Sequence, residues 1–176
     1  MNGYICRRAS GAEVAARWEY LTALHPGSDR WAAFRDLALK GFAEGSMIQY
    51  YGFLDGTIIC EATAYVNEAA FEGDIGDPSG LYGETTAYLA AFRTDKPYEG
   101  RGYFSTLYHY MERDLKAMGY TVMCLGVGAD EGRNRAIYAH LGYCDYIKTL
   151  TESVPSGQEN EASQEETVLF YRKQLT

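Results

Sequence analysis

Phe92-Arg93-Thr94-Asp95-Lys96-Pro97-Tyr98-Glu99-Gly100-Arg101-Gly102-Tyr103-Phe104-Ser105-Thr106 reads as a strand that passes through a glycine-bearing turn into the start of a helix. The helix is legible from its stripe: Phe104, Leu107, Tyr108, Met111, Leu115 and Met118 share one face, and Gly119 supplies the stop. A helix start of this kind is an anion site, because its first N–H groups have no intrahelical acceptor and the helix dipole is positive there. Gly100 and Gly102 put no Cβ between backbone and ligand, and Ser105 and Thr106 offer hydroxyl donors. The plainer reading is a turn that needs glycine only for its dihedrals. No Gly-Lys-Ser/Thr follows and a third glycine is missing, so neither a Walker A loop nor a dinucleotide fingerprint is present.

Outward from the turn, Thr85 to Arg93 and Tyr120 to Val127 are strand candidates on either side of the helix. A strand, a crossover helix and a strand form parallel neighbours connected right-handedly. Before them, Ser10-Gly11-Ala12-Glu13 is a capping box, followed by Val14, Trp18 and Leu21 at helical spacing. After Pro26-Gly27-Ser28 a second amphipathic set follows, Trp31, Phe34, Leu37, Ala38 and Phe42. Met47 to Leu54 and Thr57 to Val66, joined by Asp55-Gly56, read as a hairpin. Residues 67–83 read as a long loop. Beyond Val127 come a turn, a short helix to His140, a stop at Gly142, a strand at Tyr143 to Leu150, an acidic loop, and a last strand at Thr167 to Lys173. The order β-α-α-β-β-β-α-β-α-β-β predicts a mixed sheet with helices on both faces, and 176 residues predict one domain over 1–176.

A net charge of −8 argues against a general nucleic-acid binder and against an anionic membrane surface. Much of the acid is local: Glu152, Glu159, Glu161, Glu165 and Glu166 stand in a stretch without Lys or Arg, either a solvated loop or a lure for a cationic substrate. Cys6, Cys60, Cys124 and Cys144 are widely spaced beside apolar runs and read as buried reduced thiols. His25, His109 and His140 lack metal-ligand spacing. No run approaches the length of a membrane span and no leader is recognisable, so the expectation is a cytoplasmic protein.

A second cluster follows, Glu131-Gly132-Arg133-Asn134-Arg135-Ala136-Ile137-Tyr138-Ala139-His140-Leu141-Gly142-Tyr143. With the glycine turn, it resembles the GNAT superfamily of acyl-CoA-dependent N-acetyltransferases, whose pyrophosphate loop reads Q/R-x-x-G-x-G/A and whose later helix reads roughly N-x-x-A-x-x-L-Y-x-x-x-G-F. The spacing from Tyr138 to Gly142-Tyr143 matches, and the element order matches over nearly the whole chain. Glu99 stands in the Gln/Arg place, Gly102 is retained, Phe104 replaces the last small residue, and Glu131 and Asn134 take the usual Asn and Ala places.

The resemblance implies a mostly antiparallel twisted sheet of about seven strands with a splayed parallel central pair, and acetyl-CoA as cofactor. The pantetheine arm would lie in the splay, held by main chain near Phe92 and Thr94. The pyrophosphate would meet the loop from Glu99 through Gly100, Arg101, Gly102, Tyr103, Phe104 and Ser105, with Arg101 as an outer ion pair. Asn134 would bond the cofactor arm, or cap its own helix. Tyr138 would protonate the leaving thiolate, or be a core tyrosine. Glu84 or Glu61 would be the base unless water carries the proton, and a main-chain N–H would hold the oxyanion. The acceptor would be a primary amine of a small or amino-acid-like molecule, and a homodimer follows by analogy. Tyr50, Tyr51, Tyr65, Tyr82 and Tyr88 could wall its pocket, or simply be strand residues. Two other readings stay open: a GNAT-fold module that holds CoA without turnover, and an unrelated phosphate-binding α/β protein.

Overall fold

The computed structural model describes residues 3–75, 79–154 and 164–175. In chain order the elements are β1 (Tyr4–Arg8), α1 (Gly11–Ala23), α2 (Asp29–Ala43), β2 (Met47–Leu54), β3 (Thr57–Tyr65), α3 (Glu68–Ile75), β4 (Thr86–Thr94), a 3-10 turn (Lys96–Tyr98), α4 (Tyr103–Ala117), β5 (Val122–Gly128), α5 (Gly132–His140), β6 (Asp145–Val154) and β7 (Gln164–Gln174). They build one seven-stranded sheet in the order β1-β2-β3-β4-β5-β7-β6. Only β4 and β5 run parallel; every other neighbouring pair is antiparallel.

The two faces follow from strand alternation, which sends successive side chains to opposite sides. On β2, Tyr50 packs under α4, where its hydroxyl donates to Asp114 at 2.7 Å, while Tyr51 packs under α1. The α4 stripe buries Leu107, Tyr108, Met111 and Leu115 completely against Ala62, Ala64, Ala87, Leu89, Met123 and Leu125. Met118, the last residue of the expected stripe, falls at the helix end and stays 43% exposed. Opposite, Val14, Trp18 and Leu21 of α1 join Ala38 of α2 over Tyr51 and Phe53. The capping box forms as the sequence predicts, with Arg7 also bonding Glu13. That pairing holds the Glu13 carboxyl at about 2, well below the usual range.

Two features of β4 shape the site. Its pairing with β5 runs only from Thr86↔Val122 to Leu89↔Leu125, although both strands continue, so the pair opens beyond Leu89. Its pairing with β3 shifts by one residue between Thr63↔Ala90 and Glu61↔Arg93. Ala91 takes the extra place at φ 53°, a left-handed conformation that is uncommon for a residue with a Cβ. The bulge reverses the alternation. Ala87 and Leu89 face α4, and after it Phe92 faces α4 as well while Arg93 turns to Glu61 beneath α1.

A buried ion network ties α1 to this bend. Arg17, 3% exposed, donates to Glu61 at 2.5 Å and to both oxygens of Asp95 at 2.8 and 3.2 Å, and Arg93 bonds the other Glu61 oxygen. Tyr4 makes a second tie: its hydroxyl donates to the Tyr103 carbonyl at 3.0 Å, at the first residue of α4. The Tyr4 ring lies so close to β2 that a Cβ on Gly52 would fall 1.9 Å from its oxygen, which explains a glycine inside that strand.

Three expectations need correction. Residues 67–83 include helix α3, started by the Asn67 side chain accepting from the Ala70 N–H at 2.9 Å. Among its described side chains the buried ones are the adjacent pair Ala70 and Phe71, which gives no readable period; Phe71 is fully buried against Tyr82 and Tyr88. The acidic stretch is not all loop either. Glu152 pairs with Glu166 in the β6–β7 ladder, and ladder pairing overrides the low strand preference of glutamate that ended both strands early in the sequence reading. Glu159 and Glu161 lie outside the described residues. Of the four cysteines, Cys60 and Cys124 are buried, Cys6 is half-buried and Cys144 is exposed, because Tyr143 takes the inward place beside it.

Candidate active site

A cavity of about 370 Å³ lies at the open end of the β4–β5 pair. Phe92 and Thr94 of β4, Glu99, Gly100 and Gly102 of the turn, Tyr103 and Phe104 of α4, and Asn134 and Tyr138 of α5 all line it. Nine of the residues singled out from the sequence are thus brought together, by a turn and two helix starts that converge on one gap.

Gly102 is the N-cap of α4 at φ 80° and Gly100 stands at φ 71°. Both values lie where side chains are strained and glycine is not. The first bond of the helix runs from the Thr106 N–H to the Gly102 carbonyl at 3.1 Å. The N–H groups of Tyr103, Phe104 and Ser105 therefore have no intrahelical acceptor. No side chain caps this end and its first turn carries no acid. The result is a patch of backbone donors at the positive end of a 15-residue helix. Phe104 packs edge-on to Phe92 at 5.2 Å, so its size serves the cavity wall and leaves the donors open.

Across the cavity, Asn134 is the third residue of α5 and its amide donates to Glu131 at 3.2 Å. Glu131 also accepts from the Gly128 N–H at 3.2 Å, which fixes the turn between β5 and α5. Asn134 therefore does not cap its helix, and its carbonyl oxygen remains available to a ligand N–H. Tyr138 leans on Phe92 at 5.9 Å and Tyr143 at 6.4 Å, and its hydroxyl bonds to no described residue. Burial, reinforced by the Glu131 charge, pushes that hydroxyl up to about 12. It is a proton donor throughout the neutral range. Beneath Thr94, the Cys60 sulfur lies 3.1 Å from the Thr94 hydroxyl, and burial pushes the thiol up to about 11. Cys60 is thus a positioning contact and a poor nucleophile.

Four sequence candidates fare differently. Arg101 and Ser105 are exposed and lie outside the cavity lining. Glu84 precedes β4 at its closed end, exposed. At about 3.3 Å per residue Thr86 already stands ~20 Å from Phe92, so the strand does not bring Glu84 to the cleft. Glu61 is 4% exposed and held by two arginines, an arrangement that consumes its lone pairs. Two cations line the cleft, Arg93 of β4 and Arg133, the neighbour of Asn134 in α5, together with Tyr98 and Ile137. Sequence reading missed Arg133 because it weighed the glycine turn alone for charge.

On the opposite face of β4 lies a second cavity, lined by Trp18, Phe34, Leu37, Ala38, Met47, Gln49, Thr63, Tyr65, Ala90, Ala91 and Arg93. Arg93 lines both cavities and so stands between them, just past the bulge. Of the five tyrosines considered for a pocket, only Tyr65 lines this one.

A mixed sheet with one splayed parallel pair, and a glycine-led helix start beside the splay, form the frame of the acyl-CoA-dependent acetyltransferases. The acetyltransferase (GNAT) family model matches residues 10–143, and the chain belongs to that family, whose enzymes take the acetyl group from acetyl-CoA. The fold is shared with the ribosomal-protein-S18-alanine N-acetyltransferase of Escherichia coli, at 15% identity and a TM-score of 0.66 over 98% of this chain and 94% of that one. It is shared equally with yncA of Salmonella typhimurium, a structure with its cofactor acetyl-CoA (16%, 0.64, 99% and 95%), and with an N-acetyltransferase of Staphylococcus aureus Mu50 (15%, 0.64, 98% and 99%). No curated protein matches the sequence. Among the described residues no helix is long and apolar enough to cross a membrane and no group of side chains is arranged to hold a metal ion.

Proposed function

We propose that this chain, as one acetyltransferase domain over residues 1–176, moves the acetyl group of acetyl-CoA to a primary amine of a small molecule by direct attack in a ternary complex. The observation that carries the reading is the cavity itself, which joins unfilled backbone donors at the α4 start to a protonated, unpartnered tyrosine hydroxyl at the strand opening. These residues fit the cofactor. The N–H groups from Gly100 to Ser105 are suited to its pyrophosphate, with Arg133 as the cation opposite; Arg101 and Ser105 contribute main chain only. Phe92 and Thr94 offer strand-like main-chain bonds to the arm, and Asn134 an acceptor. Glu99, the last residue before the glycines, helps through its backbone.

Bound there, acetyl-CoA supplies a thioester carbonyl carbon open to attack. The amine arrives largely as ammonium and gives up one proton to solvent, since Glu84 is distant and Glu61 is held in ion pairs. Its nitrogen lone pair then forms the C–N bond. A main-chain N–H at the bulge, Ala91 or Phe92, donates to the oxygen that gains charge. As the C–S bond breaks, Tyr138 donates its proton toward the leaving sulfur, and the nitrogen releases its second proton, which restores the tyrosine through water.

Calorimetric titration with acetyl-CoA and desulfo-CoA, followed by thiol release with a panel of primary amines, tests the reading. Binding that requires the pantetheine arm, plus amine-dependent CoA release, is the expected result. Tight binding with no amine accepted would favour the module that holds CoA without turnover, and absence of binding would end both.

A further inference from the structure

The cavity under α1 and α2 is a side-chain site with a definite chemical bias. Across β2, β3 and β4 the cross-strand partners Gln49, Thr63 and Ala90 form one row on this face, and Tyr51, Glu61 and Arg93 form the next, about 7 Å along the strands. Trp18, Phe34, Leu37, Met47 and Tyr65 wall the space, which measures about 200 Å³. That is below the ~300 Å³ at which pockets for drug-sized ligands begin.

Two of its polar side chains keep free donors. Gln49 is 4% exposed and its Oε1 accepts the Thr63 hydroxyl at 3.0 Å, while its Nε2 donates to no described residue. No buried side-chain nitrogen or oxygen among the described residues is sealed away without a partner, so this amide opens onto the cavity it lines. Arg93 uses Nη1 on Glu61 and lays its guanidinium 5.0 Å from the Trp31 ring; its Nε and Nη2 donate to no described residue. No Asp, Glu or His lines the cavity. An amine with no anionic group would meet no carboxylate in this lining, whereas a carboxylate would meet the free guanidinium donors of Arg93 and an amide donor.

Building on the acetyltransferase reading, we propose that the acceptor is a free apolar α-amino acid, its carboxylate held by Arg93 and Gln49 and its side chain by the aromatic and aliphatic walls. The α position follows from where Arg93 stands. Arg93 borders both cavities, so a carboxylate anchored on it keeps a nitrogen one carbon away on the side of the acyl-donor cavity. The adjacent guanidinium also favours loss of the ammonium proton, which suits a site without a side-chain base. The balance is that of amide formation: amino acid ammonium and acetyl-CoA give the N-acetyl amino acid, CoA thiol and one proton.

The test compares L-leucine, L-leucinamide, 3-methylbutylamine and leucyl-glycine by CoA release, on protein first shown to bind acetyl-CoA. Leucine is expected to exceed each of the others at least tenfold in kcat/KM. Gln49→Glu places a carboxylate in the cavity; it is expected to lower leucine turnover at least tenfold and to raise that of 3-methylbutylamine relative to it, a reversal that loose folding would not produce. The tryptophans, Trp18 and Trp31, adjoin this cavity, so their fluorescence should respond to leucine and not to 3-methylbutylamine. Equal or better use of leucinamide, of the plain amine or of the dipeptide overturns the proposal and leaves the acetyltransferase reading intact. Turnover of none of the four by protein that binds acetyl-CoA overturns it too, whereas failure to bind acetyl-CoA at all would fall on the acetyltransferase reading itself.

Discussion

The two cavities flanking β4 are built in different ways. The one beside α4 is framed by a single short stretch, Glu99 to Phe104, whose backbone N–H groups at the helix start lack intrahelical acceptors, joined by the start of α5. The one beneath α1 and α2 is made of residues from five elements, among them the polar side chains of Gln49, Thr63, Tyr65 and Arg93. A backbone site recognises what all its ligands share, a phosphate, and tolerates almost any side chain that leaves the turn intact. A side-chain site recognises what differs between ligands. In this chain Arg93, just past the bulge at Ala91, borders both, while its neighbour Phe92 lines only the first.

If the first cavity is a backbone site, the largest effect should come from a substitution that changes no functional group. Gly102→Val puts a β-branched residue at φ 80° where α4 begins, although no atom stands within 4 Å of the new Cβ. Acetyl-CoA affinity should fall at least ~100-fold through displacement of the N–H donors while the circular dichroism spectrum is retained. Affinity within threefold of the parent would show that side chains, not this backbone, hold the ligand.

The side-chain cavity should break through its support. Glu61→Ala leaves Arg17 and Arg93 without their shared carboxylate, with Arg17 buried, and breaking such a buried pair costs about 3–5 kcal/mol. Urea denaturation should register that loss, whereas acetyl-CoA affinity of the folded fraction should change little.

Tyr138→Phe separates chemistry from binding within the first cavity. Losing a proton donor should lower kcat about 10²-fold with the acetyl-CoA dissociation constant unchanged, since general-acid groups contribute ~10²–10⁴-fold. The pH dependence has a definite sign. An ordinary tyrosine loses its proton near ~10, whereas burial holds Tyr138 protonated up to about 12. The parent enzyme should show no fall in kcat from tyrosine ionisation up to pH ~10, and its rate should rise with pH up to the ionisation of the amine itself. A fall in kcat near pH 8 would assign the proton to another group.

The same difference in construction decides what could be read beforehand. The α4 stripe, the glycine turn and Tyr138 are local patterns, and the parallel pairing of the strands flanking α4 follows from their crossover connection, so that pair and its helix were legible, whereas the place of β7 between β5 and β6 was not. Nor was helix α3, because its described residues are held by Asn67 and the adjacent pair Ala70 and Phe71, which is not a helical spacing. The second cavity had no local signature at all. Gln49 looks like an ordinary strand residue until β3 pairs it with Thr63, and Arg93 acquires its direction only from the bulge, which exists in the pairing and not in the text. Glu84 misled for the related reason that adjacency to a strand does not say which end opens.

The smallest effect bears on the one cation that the sequence and the structure assign differently. Arg101 sits in the glycine turn but is exposed and off the cavity lining, whereas Arg133, from the start of α5, lines it. Arg133 is itself exposed, so its attraction for a phosphate is weakened by water, and removing it should cost about 1 kcal/mol, ~5-fold in acetyl-CoA affinity. An exposed charge is also screened by salt over ~8–10 Å. The penalty for Arg133→Ala should therefore shrink between 50 mM and 500 mM salt, while Arg101→Ala should change affinity less than twofold at either. The reverse ranking would mean that the turn carries its own counter-charge and that the α5 side of the cleft is only a wall.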